Sequence, residues 1–320
     1  MKAAFAVLLA LLLTACGFRE ADIPTEISQP LPQAAATPLP ALKLRHDTAL
    51  ESQFAEIALQ AGGRVGASAV LLETSDAAEL NGDQQFPMQS VYKLPIAMAV
   101  LYADSHGQPL LTRKIAVTPR DFVRTGVRSP IRNLFPQGGE FSVRELLAQS
   151  ISESDGTASD LLLGLAGGPQ GVMAYLSRLG IADMTVADSE KDIFKDWETQ
   201  YRNSATPHAT VELLRSLQLG AGIAPETRQE LMYLLKSSGP GRRRLKKLLP
   251  GEIEVAHKSG TGGQKDGVSS ATNDVGIITL PNGKHILIAV YVSDSMADGW
   301  LREKAIAEIA KAAYDRWSGQ

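Results

Sequence analysis

Strand-forming sequence is gathered towards the two ends of this chain, with a long helical stretch between. That arrangement restricts the folds open to it. Leu50, Phe54, Ile57, Ala58 and Ala61 recur at helical spacing until Gly62-Gly63 ends the run. Val65–Glu73 then reads as a buried strand, with a second short strand around Glu79–Leu80. From Ser90 to about Asn203 the pattern is mainly helical, over Ser90–Tyr102, Val143–Ile151, Ala158–Leu165 and Gly171–Leu179. Strands return at Glu254–Thr261 and Asn273–Leu280, and Pro281-Asn282-Gly283 predicts a hairpin turn into His285–Val292. A closing helix carries Ile306, Ile309, Ala310, Ala313 and Trp317 on one face. A sheet drawn from both ends must leave the middle as an inserted lobe, an α+β architecture. The junction of two lobes is a common place for a cleft.

Composition narrows the chemistry. The 320 residues can bury a full core, and Lys+Arg 32 against Asp+Glu 35 gives a formal charge of -3. A nucleic-acid binder usually shows a basic excess, so that class is set aside. The single cysteine excludes an internal disulfide and any multi-cysteine metal site. His46, His106, His208, His257 and His285 are scattered and form no paired-ligand spacing. No metal and no cofactor are expected.

The N-terminus reads as an address. Lys2 is followed by an apolar run from Ala3 to Leu13, which spans only about half a bilayer core at helical rise. A positive start, a short apolar run and small residues read as a secretory signal over residues 1–15. Leu13-Thr14-Ala15-Cys16 looks like a bacterial lipobox, in which Cys16 is lipidated and becomes the new N-terminus. Acyl chains there would tether a soluble domain to a membrane. From Gly17 to about Arg45, Pro24, Pro30, Pro32, Pro38 and Pro40 alternate with Ala, Gln and Thr, as in an extended spacer. The expected organisation is a signal at 1–15, a lipidated cysteine and linker at 16–45, and a globular domain at 46–320.

Three short motifs carry chemistry. Ser90-Val91-Tyr92-Lys93 lies at a predicted helix start, where residues three apart share a face, so the amine can reach the hydroxyl. A serine is a weak nucleophile until a neighbouring base takes its proton, and a desolvated lysine could do so. Ser154-Asp155-Gly156 precedes an apolar helix and has a plain second reading as a helix cap. Lys258-Ser259-Gly260-Thr261-Gly262 ends a predicted strand in a glycine turn.

Taken in this order, Ser-x-x-Lys, Ser-Asp-x and Lys-Ser/Thr-Gly form the set of the penicillin-recognising serine enzymes. From about His46 to the C-terminus the chain resembles a class A β-lactamase. Phe86–Lys93, Ser129-Pro130-Ile131-Arg132, His257–Gly262 and Ala271-Thr272-Asn273-Asp274 look like the PER- and VEB-type subgroup. The resemblance implies the β-lactamase/penicillin-binding transpeptidase-like fold. That fold is an antiparallel sheet flanked by N- and C-terminal helices, plus an inserted all-helical lobe at about residues 90–235.

The resemblance also implies a loop glutamate that activates water against the acyl-enzyme. Glu198 follows Trp197, as in many class A loops, but spacing favours Glu190, ten residues after Gly180 and thirteen before Asn203. Gln200-Tyr201-Arg202-Asn203 keeps part of the subgroup's loop ending. On this reading Ser90 attacks the β-lactam carbonyl, its proton taken by Lys93 or through water by Glu190. The backbone N–H groups of Ser90 and Thr261 stabilise the oxyanion. Ser154, held by Lys258, protonates the lactam nitrogen. Ser259 and Thr261 bind the substrate carboxylate, with Arg244 the implied cation nearby, counted back from Leu249-Pro250.

Two positions depart from the family. Gly156 stands where most relatives have an asparagine that contacts the acylamide, and Phe194 where relatives place the water with an asparagine or histidine. These departures leave room for a D-Ala-D-Ala peptidase or penicillin-binding protein acting on peptidoglycan. A non-catalytic lipoprotein of the same fold is the third alternative. The expected partners are β-lactams and a membrane reached through Cys16, the protein acting as a monomer without nucleic acid. The expected location is the periplasmic face of a bacterial membrane. Gly17-Phe18 lacks the aspartate associated with inner-membrane retention, which favours the outer one.

Overall fold

The computed structural model describes residues 38–319. The signal segment, Cys16 and most of the linker lie outside the described residues. Among the described residues no helix is long and apolar enough to cross a membrane.

A seven-stranded sheet forms the centre of one lobe. Its strands are β1 (Arg45–His46), β2 (Arg64–Leu71), β3 (Asp76–Leu80), β9 (Val255–Thr261), β10 (Gln264–Lys265), β11 (Val268–Thr279) and β12 (His285–Ser295). The order is β1-β3-β2-β12-β11-β10, with β9 also paired to β11. Early and late sequence join where β2 lies antiparallel to β12, Ala67 opposite Val290. The sheet is antiparallel except at its edge, where the two-residue β1 runs parallel to β3. The expected antiparallel sheet is thus present, with one short parallel addition where the chain enters at that edge and runs only two residues before turning into a helix.

Both faces of the sheet are covered, as period-two alternation requires. Val65, Ala67, Ala69 and Leu71 of β2, with Ile286, Ile288, Val290 and Val292 of β12, face the helices α1 (Thr48–Ala58) and α9 (Gly299–Trp317). Asp47 caps α1 by accepting from Leu50 N, and Leu50 and Phe54 are its buried residues. On α9, Ala305, Ile306, Ile309, Ala310, Ala313 and Trp317 make the buried stripe that its spacing predicts. The opposite face, with Val70, Val275, Ile277, Leu287, Ala289 and Tyr291, joins the core of the helical lobe.

That lobe contains α2 (Lys93–Ser105), α3 (Pro130–Leu134), α4 (Val143–Ser152), α5 (Gly156–Leu165), α6 (Gly168–Arg178), α7 (Pro207–Leu219) and α8 (Pro225–Lys236). Strands β4 (Phe86–Pro87), β7 (Met184–Thr185) and β8 (Ser204–Ala205) form a small sheet, and β5 (Lys114–Val117) pairs with β6 (Gly139–Ser142). Helix α2 is buried from Lys93 to Ala103 on every side, the pattern of a central helix. Its start differs from the sequence expectation. Residues Gln89–Tyr92 form a 3-10 turn and the α-helix begins at Lys93. Pro95 explains this: deep in a helix begun at Ser90 its missing N–H would break the ladder, whereas in the first turn no donor is needed. Strand β11 also starts earlier than expected, because Ser269 and Ala271, opposite Ser295 and Ser293, carry no apolar signal.

The entering segment lies against the domain. Arg215 donates to Pro40 O at 2.7 Å, and Leu42 and Leu44 pack on the core.

Candidate active site

Ser90, Lys93, Ser154, Glu190, Ser259 and Thr261 all line one cleft of about 490 Å³ between the sheet and the helical lobe. Ser90 sits on the 3-10 turn, in which residues i and i+3 eclipse, so Ser90 and Lys93 project together. The turn is pressed against β9: a Cβ on Gly260 would lie 2.4 Å from Met88 O and 3.3 Å from Ser90 N. Only glycine allows that approach, which brings the backbone of β9 beside that of Ser90. Asn273 of β11 fixes the same turn, its Nδ2 donating to Pro87 O at 2.7 Å and Met88 O at 3.1 Å.

Lys93 is 1% exposed and makes the central polar contacts. Its Nζ donates to Ser154 O at 2.8 Å and lies 3.4 Å from Ser154 Oγ and 3.0 Å from Glu190 Oε1. Lys258, fully buried, donates from Nζ to Ser154 Oγ at 3.0 Å and to Ser259 O at 3.2 Å. Burial and the charge of Lys93 hold its amine well below the ordinary lysine range. Two lysine amines therefore flank one hydroxyl. Ser154 Oγ accepts from them, which leaves its own proton to be donated into the cleft. Ser154 takes a φ of 59°, and Gln89, just before Ser90, a φ of 49°. Left-handed backbone costs a non-glycine residue roughly 1–2 kcal/mol, here spent at two positions that aim reacting groups.

Next to Ser154, Asp155 caps α5 by accepting from Ala158 N at 2.9 Å, so the plain reading of this motif also holds. Asp155 Oδ2 further accepts from Ile131 N at 2.7 Å, and Ser129 Oγ donates to the same carboxylate. This ties the segment before α3 to the floor of the cleft.

Glu190 is 4% exposed, whereas Glu198 begins a separate 3-10 turn over Glu198–Tyr201 and is absent from the cleft lining. The loop that carries Glu190 is held by Asn203, whose Oδ1 accepts from Ala187 N at 2.7 Å and Asp188 N at 2.9 Å. Asp160 on α5, which sequence reasoning missed, accepts from Glu190 N at 2.6 Å and Lys191 N at 3.1 Å. Burial, together with the charge of Glu190, raises the Asp160 carboxyl to about 7 against the pull of those two amides. Tyr92 is buried in the same region, its phenol pushed well above the usual range by burial and by the charges of Glu190 and Asp160. Gln200 also supports the site: its Oε1 accepts from Gly263 N at 2.7 Å and Ser270 Oγ at 3.0 Å, and its backbone O from Gln89 Nε2 at 3.1 Å. The loop end, the turn before Ser90 and the strand after Thr261 are thereby joined.

Arg244 is 5% exposed and stands behind Thr261. Its Nη2 donates to Thr261 Oγ1 at 2.7 Å and its Nη1 to Gly260 O and Asn273 O at 2.9 and 2.8 Å. It does not line the cleft itself and reaches it through the Thr261 hydroxyl.

The two departures have visible consequences. At Gly156 the space of a side chain is taken up: a Cβ would lie 3.2 Å from both Val123 Cγ1 and Val127 Cγ1. Phe194 lines the cleft under Arg124, whose guanidinium is 5.8 Å from the ring centroid and donates from Nη2 to Phe194 O at 3.0 Å. Lys191 Nζ donates to Arg120 O at 3.0 Å, a second link between the same two segments. A buried nucleophile turn, two lysines sharing a serine and a loop carboxylate form an arrangement for acyl transfer followed by attack of water.

Comparison with known proteins agrees with that chemistry. A family model described as the β-lactamase enzyme family matches residues 49–317. The chain is 37% identical to β-lactamase VEB-1 of Pseudomonas aeruginosa over 254 residues, 79% of this chain and 85% of that protein. It is also 37% identical to the extended-spectrum β-lactamase PER-1 of Pseudomonas aeruginosa over 268 residues, 83% of this chain and 86% of that protein. The crystal structure of TLA-1 extended-spectrum β-lactamase superposes with a TM-score of 0.82 at 35% identity, covering 85% of this chain and 99% of that one. The fold, the convergence of the three motifs and these relatives place the chain in the β-lactamase family, as a class A serine enzyme of the PER/VEB type.

Proposed function

We propose that this protein hydrolyses β-lactams by acylating Ser90 and deacylating through a water activated by Glu190. The observation that carries this reading is Lys93 Nζ held between Ser154 and Glu190 in a buried site. Ser90 Oγ bonds to the lactam carbonyl carbon, and its proton passes to Lys93 or through a water to Glu190. Backbone N–H groups of Ser90 and Thr261 receive the oxyanion. When the carbon–nitrogen bond breaks, the Ser154 hydroxyl gives its proton to the nitrogen, and Lys258 stabilises the charge left on Ser154. Ser259 and Thr261 hydrogen-bond the ring carboxylate, with Arg244 polarising Thr261 from behind. The proton taken from Ser90 passes on to Ser154, which leaves Glu190 free to take a proton from water. The water oxygen bonds to the ester carbon, and as the ester carbon–oxygen bond breaks that proton returns to Ser90 Oγ. With Phe194 unable to hydrogen-bond that water, Glu190 is left as the loop side chain that orients it.

The lipobox at Leu13–Cys16 supports a location for this activity. We infer that Cys16 is lipidated after removal of residues 1–15, and that the monomeric domain faces the periplasm from the outer membrane.

The deciding experiment is nitrocefin turnover by residues 46–320, beside Glu190→Ala, with intact-mass detection of the protein. Multiple turnover, with Glu190→Ala accumulating a stable adduct on Ser90, is the expected result. A single acylation without turnover in the unmodified protein would assign a penicillin-binding protein instead. Absence of any adduct would assign a non-catalytic role.

A further inference from the structure

The binding surface continues past Thr261. Behind that side chain lies a second cavity of about 220 Å³, walled by Arg243, Arg244, Trp300, Arg302 and Glu303, and Thr261 borders both spaces. Whole small-molecule sites usually run to about 300–1,000 Å³, so this one suits a substituent rather than an entire ligand.

Its charge is unbalanced. Three guanidinium groups face one carboxylate, and Glu303 is shared, 3.0 Å from Arg243 Nε and 3.4 Å from Arg244 Nε. Arg302 is joined to no carboxylate among the described residues. Its Nε donates to Thr272 Oγ1 at 2.9 Å and its Nη1 to Ala297 O. Burial and the positive charge of Arg244 pull its guanidinium below the ordinary range, although Glu303 and Asp298 oppose them. Trp300 supplies an apolar wall at 58% exposure. Excess cation beside an uncovered indole suits an anion carried on a short, flat arm.

We propose that this cavity is a second anion subsite, which takes the charged end of a substituent on the fused ring of a β-lactam, next to the ring carboxylate. The proposal rests on the hydrolytic reading above. Ser259 and Thr261 then hold the ring carboxylate. In a cephalosporin the neighbouring ring carbon bears a substituent that leaves on the carboxylate side, away from the acylamino arm. Thr261 borders both spaces, so an arm on that side of the carboxylate has the cavity walled by Arg302 and Trp300 next to it. The preferred substrate class is a cephalosporin with two anions, one on the ring and one at the end of this arm.

The test uses two cephalosporins that differ only in the arm, a carboxylate in one and its primary amide in the other. The unmodified protein favours the acid in kcat/KM, and the preference narrows as ionic strength rises. Arg302→Gln or Trp300→Ala lowers kcat/KM for the acid about tenfold, mainly through KM, with the amide changing less than about twofold. Arg302→Lys restores part of the preference. An acid-to-amide ratio that survives Arg302→Gln, or an equal loss for both substrates, overturns the proposal. If neither cephalosporin is turned over, it is the hydrolytic reading that has failed. The cavity is then probed by isophthalate quenching of Trp300 fluorescence, with Trp300→Phe as the blank. Saturable quenching lost in Arg302→Gln upholds an anion site, and no quenching in the unmodified protein overturns it.

Discussion

Gly156 is the residue whose identity most alters the cleft. In the rest of the site side chains converge, whereas here there is no side chain and Val123 and Val127 lie within reach of the gap. An asparagine added there meets both valines and Arg128 O, at distances where the neighbours must shift by a few tenths of an ångström. Gly156→Asn is therefore expected to cost about 1–3 kcal/mol in chemical denaturation, as overpacking does. It should also lower KM for acylamino substrates by supplying an amide that the cleft lacks. A variant with unchanged stability and unchanged KM would show that the valines do not fill this space. The motif residues were legible in the sequence because their spacing is local: a hydroxyl and an amine three apart, or a lysine before a glycine turn. Asp160 was harder to see. Its partners are the backbone amides of Glu190 and Lys191, which belong to every sequence and mark none. The available signal was an acid standing directly before the apolar run Leu161-Leu162-Leu163.

At the scale of elements, the loop bearing Glu190 is packed through Val186 and Ile193 and pinned by polar contacts along its length. Asp160 holds its middle, Asn203 both sides of its bend, and Gln200 its far end. Asp160 binds its proton more tightly folded, at about 7, than at the model-peptide value of 3.8. Its contribution to stability is full below the lower value and is lost as pH rises through the higher one. Asp160→Asn removes this dependence, so the stability difference between variant and parent should move in the variant's favour from pH 4 to pH 8. Denaturant midpoints across that range measure it, and a difference that stays flat would exclude a raised Asp160. Of the two glutamates on the segment between α6 and α7, Glu190, which the spacing favours, lines the cleft and Glu198 does not. The 3-10 turn under Ser90 was not legible as such, although Pro95 held the reason for it.

For the whole molecule, the sequence announced an α+β body with an inserted helical lobe, and the sheet joins residues from both ends as that pattern requires. The parallel edge strand β1 was not visible, since two residues carry no periodicity. The proposed lipid anchor at Cys16 belongs to this scale as well, because it would place the entire domain. Cys16→Ser should move the protein from the membrane fraction to the soluble periplasm while leaving nitrocefin turnover of the isolated domain untouched. Continued recovery with membranes would end the lipid-anchor reading.

The pairing of β2 with β12 also sets an order of events during synthesis. Ser90 leaves the ribosome early, yet the strand that presses on its turn, β9, ends at Thr261, and β12 runs to Ser295. A nascent chain thus carries its nucleophile for most of translation without the wall that aims it. Reactivity arrives only when the carboxyl-terminal strands and helix close the sheet. The chain is by this design inert while it is still extended, and becomes an enzyme at the moment its last element docks.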